Sequence, residues 1–256
     1  MSFESNAIRK ESLTGEIRMS HMLRDRVKRT ALFARGDQLP HGVDLAADLQ
    51  RRFPDLRFDL IFDVGANVGQ TAHEFGIHFP QAKILSFEPD PVSFSILQAS
   101  ANGHANLSIY NLGFSVQPGR LRFDNTSPES VLHAIAKDQS NERLPLVNVT
   151  TIDLFCAAHC IERISLLKID TEGHDLDVIR GASNMLTRGN IDVVFAECSL
   201  TQVSKRLVSF SEMQADMRER GYVCFGIYQQ AFGSDTHDPQ INWANCAYVS
   251  KTHARK

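Results

Sequence analysis

The stretch Leu60-Ile61-Phe62-Asp63-Val64-Gly65-Ala66-Asn67-Val68-Gly69 decides the fold class. Leu60 to Val64, apolar except for Asp63, reads as a buried strand. The glycines that follow supply a tight turn at which backbone can approach a ligand closely. The next segment, Gln70 to Phe79, stops at Pro80, as helices do before a proline. Strand, glycine turn and helix together make one unit of a sheet wound with crossover helices.

Working outward, Lys83 to Phe87 repeats the strand, and Asp90 with Pro91 takes the cap and first-turn positions of a helix that Asn102-Gly103 ends. Asn106 to Tyr110, Ile164 to Ile169 and Ile191 to Ala196 are further short strands. Between the last two, Leu176, Ile179, Ala182 and Leu186 form one helical stripe that Gly189 stops. Ser209 and Glu212 have capping-box spacing ahead of a helix ended by Gly221. Gly221 to Tyr228 and Ala244 to Ser250 have no helical pattern between them, which predicts an antiparallel pair at one sheet edge. The expected architecture is a doubly wound, Rossmann-like α/β domain over residues 58–256 with a mostly parallel sheet. Residues 1–57 are charge-rich, with helical hints at Ile17 to Leu32 and Val43 to Phe53, and read as an N-terminal helical extension. Residues 117–148 show no clear periodicity and are rich in loop formers, which makes them the candidate substrate lid.

The chain has 256 residues and 43% hydrophobic content, enough to bury one full core. Lys plus Arg number 27 against 30 acids, so no basic footprint exists for a polyphosphate backbone and nucleic acid is not an expected partner. The five cysteines are odd in number and unpatterned, which points to a reducing compartment, the cytoplasm. Met1-Ser2-Phe3-Glu4 is not the basic-then-apolar start of a secretory signal, and no run approaches the roughly 18 apolar residues of a membrane span. Cys156 and Cys160 with His159 lack a second ligand pair for zinc and read as helix core. The sequence carries no feature that predicts an oligomeric state.

A dinucleotide site wants G-x-G-x-x-G to aim amides at phosphates, whereas Asp63, Gly65 and Gly69 give D-x-G-x-x-x-G with a carboxylate at the strand tip. S-adenosyl-L-methionine has no phosphate and carries an ammonium and a sulfonium, so Asp63, Gly65, Ala66, Asn67 and Gly69 read as its loop. Asp63 is expected at the cationic end. Glu88 follows Gly69 by 19 residues, near the offset of an acid that binds ribose hydroxyls. Asp170, Glu172 and His174 fall where another strand ends, the edge at which such sheets bind ligands. Asp170 is a further cofactor contact, and all three are candidates for the base that deprotonates an acceptor, His174 first. Asp170, Glu197 and His174 could hold a divalent cation, but no metal is expected, because carboxylates at strand tips more often orient substrate or cap helices.

Asp63-Val-Gly-Ala-Asn-Val-Gly69, Phe87-Glu88-Pro89, Thr151-Ile-Asp153, Lys168-Ile-Asp-Thr-Glu-Gly173 and Ile179-Arg-Gly-Ala182 resemble the FkbM family of methyltransferases over about residues 59–200. The resemblance implies a seven-stranded S-adenosylmethionine fold and O-methylation of a small-molecule, sugar, glycolipid or polyketide hydroxyl. His174 stands where the family pattern varies. Two other classes stay open: a non-catalytic nucleoside-cofactor-binding module, and a nicotinamide-dependent oxidoreductase, which the loop spacing disfavours.

Overall fold

The computed structural model describes residues 39–127, 133–201, 207–232 and 240–254; the helix read over Ile17 to Leu32 lies outside them. The chain from Leu45 onward forms one compact unit, and the sheet lies wholly within it. Its strands, in chain order, are β1 (Leu60–Val64), β2 (Lys83–Phe87), β3 (Leu107–Tyr110), β4 (Gly113–Phe114), β5 (Gly119–Asp124), β6 (Ala134–Ile135), β7 (Leu146–Thr150), β8 (Ile164–Ile169), β9 (Ile191–Ser199), β10 (Tyr222–Phe232) and β11 (Ile241–Ser250). The helices are α1 (Leu45–Arg52), α2 (Gln70–His78), α3 (Pro91–Ser100), α4 (Ile152–Ala158), α5 (Asp175–Gly181), α6 (Ser183–Thr187), α7 (Phe210–Glu219) and α8 (Lys251–Ala254).

Seven strands make the main sheet in the order β3-β2-β1-β8-β9-β11-β10. The first five run parallel. The last two pair antiparallel, as read from the sequence, but the chain's final strand, β11, inserts between β9 and β10 and leaves only β10 at the edge. The chain leaves β1 towards β2 and leaves β8 towards β9, in opposite directions, so the connections after β1 and β8 diverge at a topological switch point. Successive residues of each strand face opposite sides. Phe62, Leu167 and Val194 therefore pack into one apolar layer with α4, α5 and α7, while Ile61, Leu166 and Val193 pack into the other with α1 and α2.

Helix α1 belongs to this unit, which begins at Leu45, ahead of the boundary at residue 58 read from the change in composition. Leu49 is 0% exposed, and Tyr228 Oη on β10 donates to Asp48 Oδ2 at 3.1 Å.

Two segments differ from the sequence reading. The described parts of 117–148 are not an irregular loop: β5, β6 and most of β7 lie there, and with β4 they build a second sheet in the order β4-β7-β5-β6. Phe123, Val147 and Val149 form its own small core. The single helix read from Leu176 to Leu186 is two helices, broken at Ala182. The break is stabilised by Asp153, whose carboxylate accepts from the amides of Asn184 at 2.8 Å and Met185 at 3.0 Å and so caps α6 from a neighbouring helix. Among the described residues, no helix is long and apolar enough to cross a membrane.

Truncating Leu49 to Ala should destabilise the unit by about 2–5 kcal/mol, the range for a fully buried leucine. Urea unfolding measures it, and a loss below ~0.5 kcal/mol would place α1 outside the cooperative core.

Candidate active site

The tips of β1, β2 and β8 converge on the glycine turn. Gly65 has φ +74°, and an ideal Cβ on it would lie 1.8 Å from the Asp170 carbonyl oxygen, so the backbone at the tip of β8 occupies the space of any side chain. The amides of Gly65 and Ala66 both donate to the Phe87 carbonyl at 3.0 Å, tying the turn to β2.

Beneath the turn sits Lys168. Its Nζ donates to the Gly65 carbonyl at 3.0 Å, and lies 3.0 Å from Asp63 Oδ1 and 3.6 Å from Asp170 Oδ2. Burial is the strongest influence on this ammonium and pulls its pKa down. Asp63 and Asp170 together push it further the other way, leaving it above the ordinary lysine range. Asp63 is wholly buried, and Ser86 Oγ donates to its second oxygen at 3.3 Å. Its carboxylate thus faces Lys168, not the cleft, which corrects the expectation that it meets a ligand's cationic end. Ala66 and Gly69 do not line the cleft either. An ideal Cβ on Gly69 would come within 2.9 Å of Leu97 Cδ1, so this glycine lets α3 pack against the start of α2.

Gly65, Asn67, Glu88, Asp170, Glu172 and His174 do line one cleft. Its far wall includes Phe114, Phe123 and Ile135 of the small sheet. Glu88, 6% exposed, accepts from the Asn67 amide and the Asp90 amide at 2.8 Å each. Burial, only partly offset by these bonds, pushes it up to about 7.

At the tip of β8, Glu172 at φ +55° and Gly173 at φ +102° fold the chain back. Asp175 Oδ2 holds this turn by accepting from Thr171 Oγ1 at 3.0 Å and the Gly173 amide at 3.2 Å; burial pushes Asp175 up to about 6. His174 follows, with Nε2 3.0 Å from Ser115 Oγ and Nδ1 3.4 Å from Asp177 Oδ2. Burial holds its pKa below the usual histidine value, against the opposing pull of Asp177, which favours the neutral ring.

The set Asp170, Glu197 and His174 is not brought together. Glu172 stands in for the histidine, whose nitrogens face Ser115 and Asp177, and oxygens of Asp170, Glu172 and Glu197 lie within 4.8 Å of one another. Glu197 lies within β9, not at its end. Burial, with Asp170 and Glu172 nearby, pushes it up to about 8, so a proton on Glu197 relieves the repulsion at neutral pH. Cys156 is core, Cys160 is exposed, and His159 stacks on Phe155 with ring centroids 4.0 Å apart.

His174 and Glu172 also line a second groove, walled by Gln117, Arg120, Lys137 and Gln139 of the small-sheet segment. Sequence reasoning missed Ser115, Asp177 and the role of Lys168. Asp177 was findable, since it lies three residues after His174 on a helical stretch. Ser115 has no sequence relation to His174 and carries no signal.

With this geometry in place, the family comparison is decisive: the family model of the methyltransferase FkbM domain matches residues 63–224. The chain belongs to this family. As an FkbM domain it is 29% identical over 150 residues to Methyltransferase 1 of Beauveria bassiana, covering 50% of this chain and 59% of that protein. It is 26% identical over 137 residues to the hexuronic acid methyltransferase AglP of Haloferax volcanii, covering 53% and 55%. It is 26% identical over 144 residues to the 2-O-methyltransferase NoeI of Sinorhizobium fredii, covering 50% and 59%. The chain thus spans just over half the length of these curated relatives.

Replacing Lys168 by Met in this FkbM domain should cost about 3–5 kcal/mol, because Asp63 then stays buried without a countercharge. Urea unfolding tests this, and adding Asp63→Asn should recover much of the loss. A Lys168→Met variant as stable as the wild type would show that the pair does not hold the turn.

Proposed function

We propose that the protein is an S-adenosylmethionine-dependent O-methyltransferase acting on a hydroxyl of a small-molecule or carbohydrate acceptor. The observation that carries this reading is a single cleft that joins the Gly65 to Asn67 turn, the buried Glu88 carboxylate and His174.

The residues fit the cofactor. The side-chain oxygen of Asn67 is buried on the cleft wall without a hydrogen-bond partner among the described residues, a vacancy that a donor group fills. Each oxygen of Glu88 accepts one amide and keeps a lone pair for a ribose hydroxyl. The Asp170 side chain, 41% exposed, takes the role expected of Asp63 as partner for an ammonium. Phe114, Phe123 and Ile135 offer an apolar wall to a base. When bound, S-adenosylmethionine supplies an electrophilic methyl group on a sulfonium. Neutral His174 accepts the acceptor's proton, while Glu172 and Asp170 orient the reacting partners.

The second groove also reaches His174, and we assign it to the acceptor, with Gln117, Arg120, Lys137 and Gln139 on its wall. Gln117, Arg120, Lys137 and Gln139 suit an oxygen-rich molecule. The names of two relatives, a hexuronic acid methyltransferase and a 2-O-methyltransferase, agree with a carbohydrate acceptor. On the odd, unpatterned set of five cysteines in the sequence we place the protein in a reducing compartment, the cytoplasm.

Calorimetry at pH 8 should give micromolar affinity for S-adenosylmethionine and S-adenosylhomocysteine, none for NAD, and a loss of at least tenfold in Glu88→Gln. Binding of NAD instead would replace the methyltransferase reading with a dehydrogenase one. Because ribose hydroxyls donate to the carboxylate, protonating Glu88 opposes binding, so affinity should fall as pH drops from 8 to 6 and stay flat in Glu88→Gln. His174→Ala should lower kcat by about 10²–10⁴-fold, the span of general-base catalysis, with cofactor affinity unchanged; turnover is to be read on a panel of uronic acids and neutral sugars.

A further inference from the structure

We propose that Ser115 is a catalytic residue that passes the acceptor's proton to His174, with Asp177 as the positioning residue that fixes the ring. The inference rests on the O-methyltransferase reading above and adds the route the proton takes.

Both nitrogens of His174 are already engaged. Asp177 Oδ2 faces Nδ1 at 3.4 Å; a carboxylate only accepts, and on that ground we assign the hydrogen to Nδ1. Nε2 is then bare, and the hydroxyl 3.0 Å away, Ser115 Oγ, donates to it. An acceptor hydroxyl cannot reach the basic nitrogen without displacing Ser115, yet Ser115 and His174 line the same groove. Ser115 Oγ makes no other hydrogen bond among the described residues, and its lone pairs remain able to accept. The arrangement is a two-step proton wire with its first acceptor on the groove.

The surrounding fold holds the serine in place. It is 3% exposed, and its amide donates to the Thr150 carbonyl at 2.9 Å. Its carbonyl packs against Gly181 so closely that an ideal Cβ there would lie 2.2 Å from the oxygen. Asp177 is in turn held through Oδ1, 3.3 Å from Arg180 Nη1. Gly181 therefore sets the distance between Ser115, on the strand side, and His174, at the start of α5.

In the step itself, the acceptor oxygen forms a bond to the methyl carbon as the carbon–sulfur bond of the sulfonium donor breaks, its electron pair staying on sulfur as a neutral thioether. The acceptor's proton moves to Ser115 Oγ, the Ser115 proton moves to His174 Nε2, and the imidazolium is balanced by Asp177. Charge and protons are conserved, because one cation, the sulfonium, is exchanged for another, the imidazolium.

The test combines ring ¹⁵N NMR of the free protein with turnover. The wild type should show the Nδ1–H tautomer of His174, with an Nε2 resonance that shifts in Ser115→Ala. Ser115→Ala should lose at least tenfold in kcat with little change in KM or cofactor affinity, and Ser115→Thr, which keeps the hydroxyl, should recover most of it. Gly181→Ala, whose Cβ presses on the Ser115 carbonyl, should reproduce the Nε2 shift with the serine hydroxyl still present. Overturning results are an Nε2–H tautomer, unchanged kcat in Ser115→Ala, or covalent capture of Ser115 by a fluorophosphonate, which would make the serine a nucleophile. A wild type that neither binds S-adenosylmethionine nor turns over defeats the methyltransferase reading and the relay with it. A wild type that turns over beside an equally active Ser115→Ala defeats the relay alone.

Discussion

A single buried ammonium organises the parallel centre of this molecule. Lys168 on β8 reaches under the glycine turn to Asp63 on β1 and to the carbonyl of Gly65. These two strands are where the sheet's connections reverse direction; backbone pairing joins them up to Val64 and Ile169, and the lysine adds a side-chain tie to the turn just beyond. A buried ion pair is weak evidence for net stability, and its consequence here is positional. With Gly65 pinned by Lys168 and pressed against the Asp170 carbonyl, the turn presents Asn67 to Glu88, and Glu88 is held by two amides.

The small sheet completes what the main sheet begins. It supplies the apolar wall of the cleft through Phe114, Phe123 and Ile135 and the polar wall of the second groove through Gln117 and Arg120. Glu172 and His174 line both, on a turn whose positive φ at Glu172 is a left-handed conformation uncommon in non-glycine residues. Acidity is graded across the site: Asp175, Glu88 and Glu197 are all pushed up, to about 6, 7 and 8. Burial is the main cause in each case. The site can therefore hold several carboxyl groups close together at neutral pH without each being charged, as perturbed groups at functional sites commonly do.

Most of the main sheet was legible because its strands are short apolar runs bounded by turn signals, and Asp90 and Ser209 cap helices where their spacing predicts. The small sheet was not read, although the alternation exists: Leu121 and Phe123 turn inward while Arg120 and Asp124 are exposed. Six residues of alternation amid Gly, Pro and Asn are too short to separate from a loop. The break at Ala182 was hidden because it depends on Asp153, about thirty residues earlier, and local periodicity cannot register a cap from another helix. In the site, the loop, Glu88 and the β8 turn were legible as motifs. Motifs do not say which way a side chain faces, and so Asp63 was read as a ligand contact when its partner is Lys168. Ser115 meets His174 only through tertiary packing.

The most direct test of the account is a crystal structure of the protein grown with S-adenosylhomocysteine. The account predicts the nucleoside in the cleft between the Gly65 to Asn67 turn and the small sheet, its ribose hydroxyls on the Glu88 carboxylate and its amino group near Asp170, with Asp63 still paired to Lys168. A ligand seated elsewhere, or one bound in the cleft with Glu88 untouched and Asp63 turned towards it, would contradict the site and the role given to the buried lysine.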